Sequence, residues 1–186
     1  HAAGGEALVV PLDVADSAAV DQAHQQIVAT WGPVSRVVLA AGLNTPRRAW
    51  ADQGIDEFES IVSTNLTGVV RVVQAVLPGM KERGYGRIVN ISSRAALGKP
   101  LRTVYSITKA GLHGLTRTLA LEIGHHGITV NAIGPGPIAT ELFERVNPPD
   151  APATKRIIES IPVRRMGTPD DVAHGVAMLL DPRSGF

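Results

Sequence analysis

Four short apolar runs rich in valine and isoleucine recur along the chain, at residues 7–12, 36–41, 87–91 and Ile128–Ile133. Runs of this length without polar alternation read as strands buried on both faces. Longer segments with apolar residues at helical spacing separate them: Ser17–Trp31, 55–81 and 104–123, with a last one at 168–180. Strand alternating with helix, joined by right-handed crossovers, predicts an α/β fold with a parallel sheet covered by helices on both faces.

The punctuation agrees with these limits. Thr168-Pro169-Asp170-Asp171 sets a cap, a first-turn proline and two carboxylates at a helix start, where the helix dipole favours negative charge. Gly32-Pro33 and Gly84-Tyr85-Gly86 close two other helices. Residues 135–162 break the alternation; they are dense in proline and hold two short helical pieces, Glu141–Val146 and 154–160. An irregular insertion of this size is expected to be a lid or binding loop, which assigns residues 137–165 to substrate recognition within a single domain.

Composition narrows the function classes. Lys and Arg number 18 against 17 Asp and Glu, a net charge of +1 over 186 residues, and 44% of the chain is hydrophobic, as in a globular protein. The longest basic clusters are the pairs Arg47-Arg48 and Arg164-Arg165, so no nucleic-acid partner is implied. The absence of cysteine excludes a disulfide framework, a Cys-based zinc site and a thiol nucleophile, and makes a reducing, cytoplasmic setting the default expectation. No apolar run approaches about 18 residues and the start lacks a basic region followed by an apolar one, so neither membrane insertion nor export is expected.

Gly134-Pro135-Gly136-Pro137-Ile138-Ala139 fits the dinucleotide pattern G-x-G-x-x-A after a strand. A pyrophosphate cradle needs backbone N–H donors, and Pro135 and Pro137 have none, so the segment reads as a stiff turn and not as a phosphate site. The Walker pattern and the hydrolase elbow G-x-S-x-G are absent.

Tyr105 and Lys109 stand four apart at the start of a predicted helix, and so on one face. An ammonium about 4 Å from a phenol at an effective dielectric near 20 is worth about 4 kcal/mol in favour of the ionised form, against which burial works. Alone the spacing also fits an ordinary amphipathic helix. The context adds Gly86-Arg87-Ile88-Val89-Asn90-Ile91-Ser92-Ser93, which brings hydroxyls to the carboxyl end of a strand, where ligands of open parallel sheets bind. A serine donating to a carbonyl oxygen beside a tyrosine that transfers a proton makes a reduction site without a metal.

In order and spacing these motifs resemble the short-chain dehydrogenase/reductase family from about Leu8 to Phe186. Leu12-Asp13-Val14-Ala15-Asp16 is similar to the family's strand-ending Asp-Val, whose aspartate holds the adenine ring. Asn65, in Ser63-Thr64-Asn65-Leu66-Thr67-Gly68, matches the asparagine that anchors a proton-relay water. Ser93, Tyr105 and Lys109 match the catalytic serine, tyrosine and lysine; spacing alone leaves Ser92 open beside Ser93. Pro135-Gly136-Pro137-Ile138-Ala139-Thr140 resembles the turn at the nicotinamide end of the cofactor, and Ile161-Pro162-Val163-Arg164-Arg165-Met166-Gly167-Thr168-Pro169-Asp170-Asp171 the approach to the last helix.

The resemblance implies a Rossmann-like doubly wound sheet and an NAD- or NADP-dependent oxidoreductase acting on a small carbonyl or secondary alcohol. The nearest likeness is to 3-oxoacyl carrier-protein reductases, with a sugar, polyol or other alcohol dehydrogenase as the alternative. Tyr105 is then the acid/base, Lys109 its activator and ribose ligand, Ser93 the group that orients the oxygen, and Asn65 the support of the water chain. Asp13, Val14, Ala41, Gly42, Tyr105, Lys109, Pro135, Gly136, Ile138 and Thr140 are expected to touch the cofactor, and no metal is expected. The outer faces of the two long helices resemble those that pair family members into dimers or tetramers, so a homo-oligomer is expected.

Departures from the pattern are informative. The family's Asn-Asn-Ala-Gly is replaced by Leu39-Ala40-Ala41-Gly42, which removes side-chain hydrogen bonds between strand ends. The family's glycine-rich first unit and last strand have no counterpart between His1 and Phe186, so the chain reads as a fragment with unpaired sheet edges, expected alone neither to fold stably nor to bind dinucleotide well. A non-catalytic oligomerising scaffold is the alternative of another class. His113 reads first as a packed helix-face residue, His125-His126 as a pair at a helix end, and Trp50, with Arg47 and Arg48, as either a site-lining or a surface residue.

Overall fold

The computed structural model describes residues 4–43, 48–148 and 150–186. Three parallel strands, β1 (Arg36–Leu39), β2 (Gly86–Ile91) and β3 (Ile128–Ile133), lie in the order β1-β2-β3. Val37 pairs with Ile88, and Ile88 with Val130. β2 has neighbours on both sides and its first five residues are buried, as its unbroken apolar pattern requires.

Helix α1 (Ser17–Trp31) starts where the Asp16 carboxylate accepts the amides of Ala18 and Ala19, and ends at Gly32, whose φ of 78° suits glycine. α2 (Ile55–Val62) continues through a wide π turn, Ser63–Thr67, into α3 (Gly68–Arg83). α4 (Thr103–Ile123) follows β2; α5 (Glu141–Val146), α6 (Pro152–Ser160) and α7 (Pro169–Leu180) follow β3. Strand side chains alternate between faces. Leu39, Ile88, Ile128 and Val130 form one core with Val69, Val73, Val76 and Met80 of α3 and Leu112 and Ile123 of α4. Fully burying Met80, Ile88 and Leu112 contributes about 1.5–3 kcal/mol each. The residues between them in β2 and β3 face α7: Arg87 donates to Pro182 O at 3.0 Å, and Ile133 lies against Gly175.

Four expectations are corrected. Residues 7–12 form no strand, because an extended run becomes one only when another backbone pairs with it, and none does among the described residues; Val9 is largely exposed. The second strand ends at Leu39, where its ladder with β2 stops at Asn90. The helix expected over 55–81 contains the π turn and runs to Arg83, closing on Gly84 in the left-handed region. That continuous helix is also long and apolar enough to cross a membrane by length and composition, contrary to the reading above; here its apolar stripe is the face on the sheet. An open apolar groove of about 520 Å³ lies between α1, α3 and the outer edge of β1.

Candidate functional site

The π turn aims Asn65 at the chain leaving β1. Asn65 is fully buried; its Oδ1 accepts from Leu43 N at 2.6 Å and its Nδ2 donates to Leu43 O at 2.9 Å. One carboxamide thus satisfies both backbone polar groups of Leu43, as a neighbouring strand would. Nδ2 also reaches Thr108 Oγ1 of α4 at 3.4 Å, a partner that no sequence pattern indicated. A Cβ built on Gly42 would stand 3.4 Å from Asn65 Oδ1 and 3.6 Å from Lys109 Nζ, so Gly42, Asn65 and Lys109 meet at one point.

α4 carries the Tyr105–Lys109 pair, with Lys109 Nζ 5.7 Å from the Tyr105 ring centroid. Lys109 is buried and donates to Ile91 O, at the end of β2, at 2.7 Å. Burial pushes its ammonium below the ordinary lysine value. Ser92 and Ser93 separate by environment. Ser92 is buried, its hydroxyl donating to Lys109 O at 2.9 Å and lying 2.9 Å from His113 Nε2. With the hydroxyl proton given to Lys109 O, the imidazole must be the donor in the second bond. Ser93 is half-exposed and its Oγ accepts only the amide of Ala95 among the described residues, heading the short turn Arg94–Leu97. Ser93 is therefore the serine with a hydroxyl to offer, and His113 has a structural partner.

The proline turn continues the same sheet edge. Gly134 passes the Ser93 main chain, with 3.6 Å from a built Cβ to Ser93 C, and Arg94 N donates to Pro135 O at 2.9 Å. Ile138 bridges in parallel to Gly167, and Thr140 caps α5 through its hydroxyl on Phe143 N. Ala41 and Gly42, at the end of β1, are small and exposed. On the far side, Val14 packs on Gly68, where a Cβ would stand 2.8 Å from Val14 Cγ2. Asp13 is exposed, its carboxylate folded onto Ala15 N at 2.8 Å.

Of the remaining candidates, Trp50 sits exposed on a short turn (Trp50–Asp52) whose neighbour Arg48 donates its amide to Leu101 O ahead of α4. Arg47 lies outside the described residues. The His125 and His126 rings lie tilted to each other after α4, centroids 4.0 Å apart, away from this edge. The arrangement, a buried ammonium with N–H donors to spare, a nearby phenol, a half-exposed hydroxyl and small residues at the strand ends, fits a dinucleotide laid across the carboxyl ends of the strands.

A family model described as enoyl-(acyl carrier protein) reductase matches residues 1–186. The short-chain reductase protein NovJ of Streptomyces niveus is 39% identical over 188 residues, covering 99% of this chain and 71% of the relative. The acetoacetyl-CoA reductase of Rhizobium meliloti is 40% identical over 175 residues, covering 94% and 71%. The solved structure of ElxO with NADP bound superposes with a TM-score of 0.88 at 30% identity, covering 94% of this chain and 71% of that one. The sheet, the order of the motifs along it and these matches agree: the chain belongs to the short-chain dehydrogenase/reductase family of oxidoreductases.

Proposed function

We propose that the protein transfers hydride between NAD or NADP and a small carbonyl or secondary alcohol, with a 3-oxoacyl thioester as the favoured substrate. The observation that carries this reading is the meeting of Gly42, Asn65 and Lys109 at the strand ends, with the Tyr105 ring 5.7 Å from Lys109 Nζ. The thioester rests on similarity to a reductase of acetoacetyl-CoA.

Among the described residues Lys109 commits one N–H, to Ile91 O, and its other two would hold the ribose hydroxyls. Ala41, Gly42 and the 135–140 turn would line the nicotinamide end, and Asp13 and Val14 the adenine end. A bound nicotinamide supplies or accepts the hydride. Tyr105 gives its hydroxyl proton to the substrate oxygen in reduction and takes it back in oxidation, and the Lys109 ammonium stabilises the phenolate left behind. Ser93 donates a hydrogen bond to the same oxygen. Asn65 supports the water that refills Tyr105, through the Oδ1 lone pair that Leu43 leaves unused. The 137–165 segment selects the substrate, and the exposed Ile107 and Leu121 on α4 offer apolar surface to a second copy.

Initial rates of NADH and NADPH oxidation by the full-length protein with acetoacetyl-CoA and with a simple ketone, beside Tyr105→Phe, test the reading. Turnover with one cofactor that falls by about 100-fold or more in the variant, with dinucleotide binding retained, is the expected result. A variant as fast as the parent protein would overturn it.

A further inference from the structure

We propose that Asp171, in the first turn of α7, is a positioning residue for the 135–140 turn and so for the nicotinamide end of the site. The inference rests on the reading of that turn given above. Its two carboxylate oxygens accept four donors: Oδ2 takes Arg165 Nη1 at 2.6 Å, Thr168 N at 2.8 Å and Thr168 Oγ1 at 3.1 Å, and Oδ1 takes Arg165 Nη2 at 3.0 Å. Arg165 and Thr168 flank Gly167, so one carboxylate pins the chain on both sides of that glycine.

Gly167 in turn holds the proline turn. Its N–H donates to Pro137 O at 3.1 Å and its carbonyl accepts from Ala139 N at 2.8 Å, making the bridge opposite Ile138. A Cβ on Gly167 would stand 2.5 Å from Ile138 Cδ1, so the two segments approach as closely as a glycine allows. Pro135 and Pro137 have no N–H, which leaves the turn few backbone donors of its own; the Ala139 N–H is committed to Gly167. Farther along, α7 packs on β2 and β3, with Gly175, midway along the helix, against Ile133.

The path therefore closes: the turn that leaves β3 is tied to Gly167, Gly167 to Asp171, and Asp171 to the helix that packs back on β3. An exposed ion pair is worth little by itself. This one matters through what its ends are attached to.

The test compares Asp171→Asn, Arg165→Met, the double variant and Asp171→Glu with the parent protein. Hydrogen exchange at Ala139 is read without cofactor, and cofactor KM and saturated kcat are read with it. Asp171→Asn is expected to speed exchange at Ala139 and to raise cofactor KM by about fivefold each, with kcat within about twofold. Adding Arg165→Met should do no further harm, and Asp171→Glu should recover most of the loss. Unchanged exchange at Ala139 in Asp171→Asn, even with lowered stability, overturns the inference and leaves Asp171 a helix cap. Faster exchange with unchanged cofactor KM overturns its link to the site. Failure of the full-length protein to bind either dinucleotide overturns the functional reading, and is told apart by the exchange data, which judge the clamp without cofactor.

Discussion

The Ser92 hydroxyl donates to the main-chain carbonyl of Lys109 at 2.9 Å, fastening the end of β2 to the helix that carries the buried ammonium. Lys109 returns the connection through its own Nζ on Ile91 O. Two adjacent serines thus stand in different surroundings, Ser92 buried inside the scaffold and Ser93 half-exposed beside it.

Their alanine variants should differ in kind. Ser92→Ala removes a buried hydroxyl bonded to Lys109 O and His113 and is expected to cost about 1–2 kcal/mol in denaturant unfolding. Ser93→Ala loses only a cap on a short turn and should change stability by about 0.5–1 kcal/mol, while lowering kcat by about 100-fold. Equal kcat losses without a stability difference would sink the division.

Two left-handed glycines meet between α3 and β3, Gly84 at φ 62° and Gly127 at φ 72°. A Cβ on Gly127 would collide with the Gly84 carbonyl, whereas one on Gly84 meets nothing nearer than His126 O at 4.0 Å. Gly84→Ala is expected to cost about 1 kcal/mol in backbone strain alone. Gly127→Ala adds the overlap and should cost several kcal/mol or prevent folding. Thermal melts of the two variants decide it, and equal melting temperatures would count against the packing.

Burial holds Lys109 below its ordinary value of 10.5. The unfolded chain then binds more protons than the folded one at pH values between the lowered value and 10.5, so unfolding free energy rises with pH across that window. The cost of burying the ammonium is fully present below the lowered value and is lifted above 10.5. The urea midpoint of the protein relative to Lys109→Met should therefore climb as pH approaches 10.5. A difference that stays flat would show that Lys109 titrates normally.

Local chemistry made much of the architecture legible. Ser17–Trp31 is bounded as expected because its signals, Asp16 before it and Gly32 after it, act within a turn of the helix ends. Thr168 and Asp171 likewise announce α7 through a capping box that needs only four residues. The Tyr105–Lys109 pair was visible for the same reason, since helical spacing alone puts both on one face.

The alternation of strand and helix beyond residue 17, the limits of α1 and α7 and the order of the chemical motifs thus follow from signals local to the chain. The tertiary structure decided everything that depends on a distant partner. Residues 7–12 have strand composition, yet no backbone among the described residues pairs with them, and a strand is made by its neighbour. Ser92 and Ser93 are alike in type, and only burial against Lys109 and His113 tells them apart. Asn65 finds Leu43, and Ile138 finds Gly167, across intervals that no local pattern spans. Local propensities act through neighbours along the chain, whereas hydrogen bonds and packing between remote segments exist only once the sheet brings them together.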